Sequence, residues 1–78
     1  MEQKIKQDEI RIGKNIRRLR LEKNIGQTEM VALLQMENVS MTREAFVKIE
    51  RGIQHISATQ IRGIRNVLGT TYDELLKE

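Results

Sequence analysis

The sequence has no cysteine and only one histidine, His55. Without cysteine the chain cannot form a disulfide, a zinc–thiolate site or a thiol nucleophile. A single imidazole is too few for a histidine metal cluster. The sequence also has no recognisable nucleophile–base pair and no glycine-rich phosphate loop. We therefore expect that the protein is not an enzyme and uses no metal or other cofactor.

Aromatic residues, proline and long apolar runs are also scarce. Phe46 and Tyr72 are the only aromatic residues, too few for the stacking platforms that bind RNA or single-stranded nucleic acid. Proline is absent and there are five glycines, which favours helices. The apolar runs are far shorter than a membrane span, and polar residues 1–9 do not resemble a signal peptide. We expect a soluble, cytoplasmic protein with no membrane partner.

The charge of the chain is unevenly distributed. Fourteen basic residues against eleven acidic ones give a net charge of +3, which permits a polyanionic partner without requiring one. Between residues 11 and 23, Glu22 is the only acidic residue among many basic ones, whereas residues 69–78 carry three acidic residues against one lysine. One end of the chain is therefore basic and the other acidic.

Apolar residues recur at helical spacing in five segments, and this pattern predicts an all-α domain of five short helices. The first helix carries the apolar stripe of Ile12, Ile16 and Leu19. Asp8 is its predicted N-cap, and Asn24 is predicted to stop it in the left-handed conformation.

The next two helices are predicted at residues 27–35 and after Thr42. Thr42 is a good N-cap for the third helix, and Gly52 is predicted to stop it. Residues 36–41 between them have β-branched and cap-type residues in place of an apolar stripe, which predicts a turn.

Capping boxes predict the starts of the last two helices. Ser57 with Gln60 opens the fourth helix, which Gly69 ends, and Thr71 with Glu74 opens the fifth. Residues 53–56 form a short connection. Gly63, inside the fourth helix, costs about 1 kcal/mol relative to alanine, so either it serves another purpose or it is simply tolerated on the exposed face.

The third helix has a charged face opposite an apolar one. Ala45, Phe46 and Ile49 share one side, and the other side carries Arg43, Glu44, Val47, Lys48 and Arg51. A helix of this kind can lie in the major groove of DNA, where arginine and lysine donate to guanine and glutamate accepts from cytosine.

These helices together resemble the XRE-type helix-turn-helix family, which has the fold of the lambda-like phage repressors and Cro. The resemblance covers roughly residues 10–77. Its motifs are IGKNIRRLR at residues 12–20, Gln27 at the start of the second helix, FVKIERG at residues 46–52, VLG at residues 67–69 and TYDELL at residues 71–76. It implies a compact five-helix DNA-binding domain, residues 9–78, after a polar arm, residues 1–8.

The resemblance also implies which residues contact DNA. The second and third helices would form the helix-turn-helix, with the third in the major groove. Base contacts are expected from Thr42, Arg43, Glu44, Val47 and Lys48. Phosphate contacts are expected from Gln27, Arg51, His55 and Arg17. Glu50 is expected to have a structural role, bonded to Arg20 or Arg17 of the first helix.

The sequence departs from the family pattern at three places. The turn between the second and third helices is about five residues longer than the common form. Gly26 stands where serine or threonine usually caps the second helix, and glycine is a weaker cap. Val31 stands where a small alanine usually allows the helices to approach closely.

The resemblance implies a nucleoid-associated transcriptional regulator that binds double-stranded DNA, a repressor that acts as a homodimer on a palindromic operator, with no small-molecule ligand. The predicted dimer surface is the fifth helix with Leu75 and Leu76, either alone or together with the arm of residues 1–8. The alternative is a protein-interaction module of the antitoxin or anti-repressor type, which would use an apolar patch of Met36, Val39 and Met41. In that alternative the basic face of the first helix is only a solvated surface.

Overall fold

A computed structural model describes residues 11–78 and the backbone of residues 4 and 5. The elements in chain order are β1 (Lys4–Ile5), α1 (Ile12–Glu22), α2 (Gln27–Met36), α3 (Arg43–Glu50), β2 (Ile56–Ser57), α4 (Ala58–Leu68) and α5 (Tyr72–Leu75). The predicted five-helix, all-α architecture is confirmed, and α2 ends one residue later than expected. The two short strands pair antiparallel, with Lys4 opposite Ser57 and Ile5 opposite Ile56. This small ladder joins the predicted arm to the end of the predicted 53–56 connection and to Ser57, the N-cap of α4.

The N-terminal caps are confirmed for the later helices and wrong for the first. Thr42 and Thr71 accept hydrogen bonds from the backbone N–H groups of Ala45 and Glu74. Ser57 and Gln60 form a complete, reciprocal capping box. The N-cap of α1, however, is Arg11, which makes no side-chain cap. The predicted cap Asp8 lies outside the described residues. The first residue of the helix is Ile12, which is also its first buried residue.

Four helices end in the same backbone motif. After each of α1, α2, α3 and α4, one residue takes a positive φ and the N–H of the next residue bonds to a carbonyl five residues back. This is the Schellman motif, which satisfies carbonyls left without partners at a helix end. The predicted stops at Asn24, Gly52 and Gly69 are confirmed, and the fourth is Asn38, with φ 62°.

The core is one apolar cluster to which every helix contributes. Phe46 of α3 is its largest fully buried side chain. The other buried apolar residues are Ile12, Ile16, Leu19, Met30, Leu34, Val39, Ile49, Ile56, Ile61, Ile64, Leu68 and Leu75.

Two glycines allow segments to approach closely. A Cβ at Gly13 would collide with the backbone carbonyl oxygens of Ile49 and Glu50, so α1 lies directly against the end of α3. A Cβ at Gly63 would come within 2.6 Å of Val39 Cγ2. Of the two explanations for Gly63, the structure excludes the exposed face: the residue is buried, and it makes room for the long turn between α2 and α3.

The C-terminal segment is attached to α1 through Asn15. Its side-chain amide donates to the carbonyl oxygens of Leu75 and Lys77, at 2.8 and 2.7 Å. Because the last carbonyls of a helix have no partner within the helix, one half-buried side chain both caps α5 and joins it to α1.

Candidate nucleic-acid interface

Helix α3 is divided into a buried face and a charged face, as expected. Phe46, Ile49 and Glu50 are buried, and Arg43, Glu44 and Lys48 are exposed, with Val47 half-buried between them. At 3.6 residues per turn, one arc of about 140° on the helix carries all of the residues on its charged side, which are Arg43, Val47, Arg51, Glu44 and Lys48. The structure thus brings four of the five predicted base-contacting residues onto one exposed side of α3.

Thr42, the fifth, stands at the start of the helix. Its hydroxyl oxygen accepts from the N–H of Ala45 at 3.0 Å, and the residue is exposed. Since the oxygen is used as a cap, the methyl group and the hydroxyl hydrogen are the parts of this side chain that remain for a ligand.

A buried ion pair fixes α3 against α1. Arg20 Nε donates to Glu50 Oε2 at 2.6 Å, and a second guanidinium nitrogen donates to Oε1 at 3.0 Å. The side chains are only 6% and 2% exposed. A third Arg20 nitrogen donates to the carbonyl oxygen of Ile25. The expected structural role of Glu50 is confirmed, with Arg20 rather than Arg17 as its partner.

Gln27 extends this pair to the exposed surface. Its amide nitrogen donates to Glu50 Oε1 at 3.0 Å, and its amide oxygen accepts from Arg43 at 3.3 Å. Gln27 is the first residue of α2 and Arg43 the first of α3. A residue predicted to contact phosphate and one predicted to contact bases therefore hold each other in place.

This link between Gln27, Glu50 and Arg43 was not predicted. The partners are 23 and 16 positions apart in the sequence, so no local pattern indicates the bonds. The family resemblance implied only that Glu50 pairs with the first helix, and this was the one indication that α1, α2 and α3 meet here.

The other predicted phosphate-contacting residues border the same surface. Arg51 follows α3 directly and is exposed, and His55 is exposed in the loop before β2, beside a shallow depression that Ile53 and Gln60 also line. Arg17 lies one turn after Gly13, the residue that touches the end of α3. Residues four apart on a helix are neighbours, so exposed Arg17 lies on the side of α1 next to α3.

The surface has an excess of positive charge. Within residues 11–78, Arg17, Lys48 and Arg51 form no ion pair, and Glu44 is the one acidic residue on the exposed arc of α3. Arg18, which points elsewhere on α1, is paired with Glu22 at 3.2 Å and with Glu74 at 3.8 Å. The basic residues next to α3 are therefore available to an anionic ligand.

Two predicted protein-binding surfaces are wrong in part. In the patch of Met36, Val39 and Met41, Val39 is 5% exposed and belongs to the core, and Met41 packs against the core. On α5, Leu75 is fully buried beneath the helix, and Leu76 packs against the core. Sequence periodicity could not reveal this, because the segments that cover these residues are distant in the sequence.

In the part of the chain that the structure describes, none of the helices has the length and apolar character needed to cross a membrane. The same residues include no group of three or more histidine or acidic side chains placed to hold a metal ion.

Comparison with known proteins gives a likeness of fold. No protein-family model matches the chain, and no curated protein is significantly similar to it in sequence. The crystal structure of C.AhdI, a restriction-modification controller protein from Aeromonas hydrophila, is similar with a TM-score of 0.73. The two chains are 24% identical, over 85% of this chain and 92% of that one. The chain thus has the fold of a restriction-modification controller protein.

Proposed function

We propose that this protein is a sequence-specific regulator of the XRE type that binds double-stranded DNA through α3. The observation that carries the proposal is the charged arc of α3, which is exposed on a helix whose opposite face is fixed by core packing and a buried ion pair. A rigid helix with exposed donors and an acceptor is what direct readout in the major groove requires. The fold of a controller protein supports a regulatory role.

The side chains on the arc suit particular bases. Arg43 and Lys48 would donate to guanine O6 and N7, and Glu44 would accept from the cytosine amino group. The methyl groups of Thr42 and Val47 would pack against thymine methyls. Because Gln27 holds Arg43 in the unbound protein, the guanidinium is partly oriented before DNA arrives, which reduces the entropy lost on binding.

The DNA backbone would be held around this arc. Gln27 uses one amide hydrogen on Glu50 and has a second to offer a phosphate, next to the N–H groups of the first turn of α2. Arg51, His55 and Arg17 would contact phosphates on the flanks. Each phosphate neutralised contributes about −0.9 to the slope of log affinity against log salt concentration.

The proposed active form is a homodimer that represses transcription from a palindromic operator. A two-fold dimer would place two copies of α3 about 34 Å apart, one turn of DNA. We propose the α5 side as the dimer surface, with Leu76 and the 39%-exposed Tyr72 as its apolar residues, since Leu75 is fully buried.

The first test is selection of random duplex DNA by the purified protein at near-physiological salt. The expected result is a palindromic motif with half-sites about ten base pairs apart. A bound pool without any motif would contradict the proposal, because it would mean that the basic surface binds phosphates without reading bases.

A matched pair of lysine variants tests the role of α3. Lys48→Ala should weaken binding to the selected duplex about 5- to 150-fold, which corresponds to about 1–3 kcal/mol for one base contact, and should relax the preference at one base pair. Lys77→Ala removes the same charge at the C-terminal end, where Lys77 contacts Glu74, and should change affinity little. Equal losses in a binding titration would show that only net charge matters. Both lysines are exposed, so both variants should keep the native circular dichroism spectrum.

A further inference from the structure

Helix α2 is apolar on more than its buried side. Six of the ten residues in Gln27–Met36 are apolar: Met30, Val31, Ala32, Leu33, Leu34 and Met36. Only Met30 and Leu34 are buried, and Val31 packs against the core. Ala32, Leu33 and Met36 remain, and with Glu29 and Glu37 they form a surface that we name the α2 outer face.

The apolar residues of the α2 outer face are adjacent and accessible. Met36 is 79% exposed, the largest value for any large apolar residue that the structure describes, and Ala32 is exposed. Leu33 is half-buried and, within residues 11–78, is not among the side chains that pack against the core. Residues three and four apart are neighbours on a helix, so Ala32, Leu33 and Met36 form one continuous strip rather than scattered exposed residues.

Negative charge borders this strip. Residues 24–42 contain no lysine or arginine, although the chain has fourteen. Glu29 lies one turn before Leu33 and Glu37 one turn after it. Among the described residues neither carboxylate forms an ion pair, and Glu37 accepts one hydrogen bond from Asn66 of α4.

Two arginines of the adjoining helix α4 border the α2 outer face on its Glu37 side. Arg65 donates to Asn66 Oδ1 at 2.9 Å, and Asn66 donates in turn to Glu37, while Arg62 lies one turn before Asn66. The face itself therefore combines an apolar strip with a carboxylate at each end, and neither carboxylate forms an ion pair among the described residues.

We infer that the α2 outer face is a docking site for a basic amphipathic helix of a partner protein. Apolar side chains of the partner would pack on Leu33 and Met36, and its lysines or arginines would meet Glu29 and Glu37. Amphipathic helices bind apolar strips through residues at i, i+3, i+4 and i+7, and methionine adapts to varied partner surfaces. The site goes beyond DNA binding, and Met36 is at the opposite end of α2 from Gln27, so both ligands could be bound together.

The experiment uses the whole chain, without DNA, and follows its methionine methyl groups by NMR. The probe is a synthetic helical peptide with leucine at positions i, i+3, i+4 and i+7 and lysine elsewhere. The control peptide has glutamate in place of every lysine. We expect the Met36 methyl signal to shift with the lysine peptide and not with the glutamate peptide, while buried Met30 stays unchanged as an internal reference.

Two variants sharpen the result. Met36→Gln should weaken binding of the lysine peptide at least tenfold. Replacing both Glu29 and Glu37 with glutamine should weaken binding by as much and remove its salt dependence. Glu78→Gln removes a similar charge at the C-terminal end and should have no effect. Because Met36 is exposed, Met36→Gln should keep the thermal midpoint and the affinity for DNA.

Three results would overturn the inference. The first is equal shifts with both peptides, and the second is peptide-induced shifts centred on another helix. The third is a Met36 signal that moves with protein concentration alone, which would mean that a second copy of the chain occupies the face. None of these results bears on DNA binding, so the two proposals fail separately.

Discussion

Two arginines of α1, two positions apart, form ion pairs in very different surroundings. Arg20 faces Glu50 at the junction of α1, α2 and α3, where both side chains are almost fully buried. Arg18 faces Glu22 and Glu74 at the seam between α1 and α5, where all three side chains are more than 40% exposed. The residue type and the charges are the same, but the sites differ in burial and in geometry, because Arg20 donates to both oxygens of one carboxylate at 2.6 and 3.0 Å.

This difference determines what each pair does for the protein. Water and salt screen the exposed pair, which contributes about 0–1 kcal/mol. In the buried pair, hydrogen bonds fix the position of the Arg20 guanidinium relative to the Glu50 carboxylate. Loss of either residue would leave an unpaired charge in the core. The junction therefore fixes the orientation of α3, whereas the seam is held mainly by Asn15 and apolar packing.

The largest effect is expected at the junction. Glu50→Ala should lower the free energy of unfolding by about 3–5 kcal/mol, because Arg20 would remain buried without its carboxylate. Urea denaturation followed by circular dichroism measures this. Glu50→Gln keeps the shape and part of the hydrogen bonding and should lose less. A loss below about 1 kcal/mol for Glu50→Ala would remove the distinction between the two sites.

The next effect concerns the contact between α1 and α3. Gly13→Ala should destabilise by about 1–3 kcal/mol, since the new methyl group would force the carbonyls of Ile49 and Glu50 away. Gly26→Ala is the matched control, because nothing lies within 4 Å of its Cβ position. Thermal unfolding of the two variants should differ clearly. Similar midpoints would show that the junction can relax.

At the seam, the strongest polar contact is that of Asn15. Asn15→Ala removes its two hydrogen bonds to the carbonyls of Leu75 and Lys77 and should cost about 1 kcal/mol. Hydrogen exchange should show faster exchange at the amides of α5 while those of α3 keep their protection. Unchanged exchange in α5 would mean that packing of Leu75 alone holds the helix.

The smallest effect is expected for the exposed pair. Arg18→Ala should change the free energy of unfolding by about 1 kcal/mol or less. In 1 M salt, where the Debye length is about 3 Å, the difference from the wild type should disappear, whereas the loss in Glu50→Ala should persist. A salt-independent effect of Arg18→Ala would show that its aliphatic stem, rather than its charge, stabilises the seam.

Local chemistry in the sequence predicted most of the helix ends. Thr42 and Ser57 cap helices, and Asn24, Gly52 and Gly69 end them, because each of these events is decided within about five residues. The predicted N-cap of α1 was wrong because local chemistry did not decide this helix end. Asp8 is a favourable N-cap residue, but the helix begins at Ile12, its first buried residue.

Features that depend on distant segments could not be predicted. Nothing near Gly63 in the sequence shows that Val39 lies against it, and nothing near Gln27 shows that Arg43 bonds to it. The exposed arc of α3 was predictable because helical periodicity places charged and apolar residues on opposite sides. Its link to the buried ion pair required the three-dimensional structure.

The contact between Gly63 and Val39 has a consequence for how this chain could diverge. A Cβ at position 63 and the branched side chain at position 39 compete for the same volume, so a larger residue at position 63 requires a smaller one at position 39. A shorter turn between α2 and α3 would remove this competition and free α4 from the need for glycine, whereas the long turn couples the two positions.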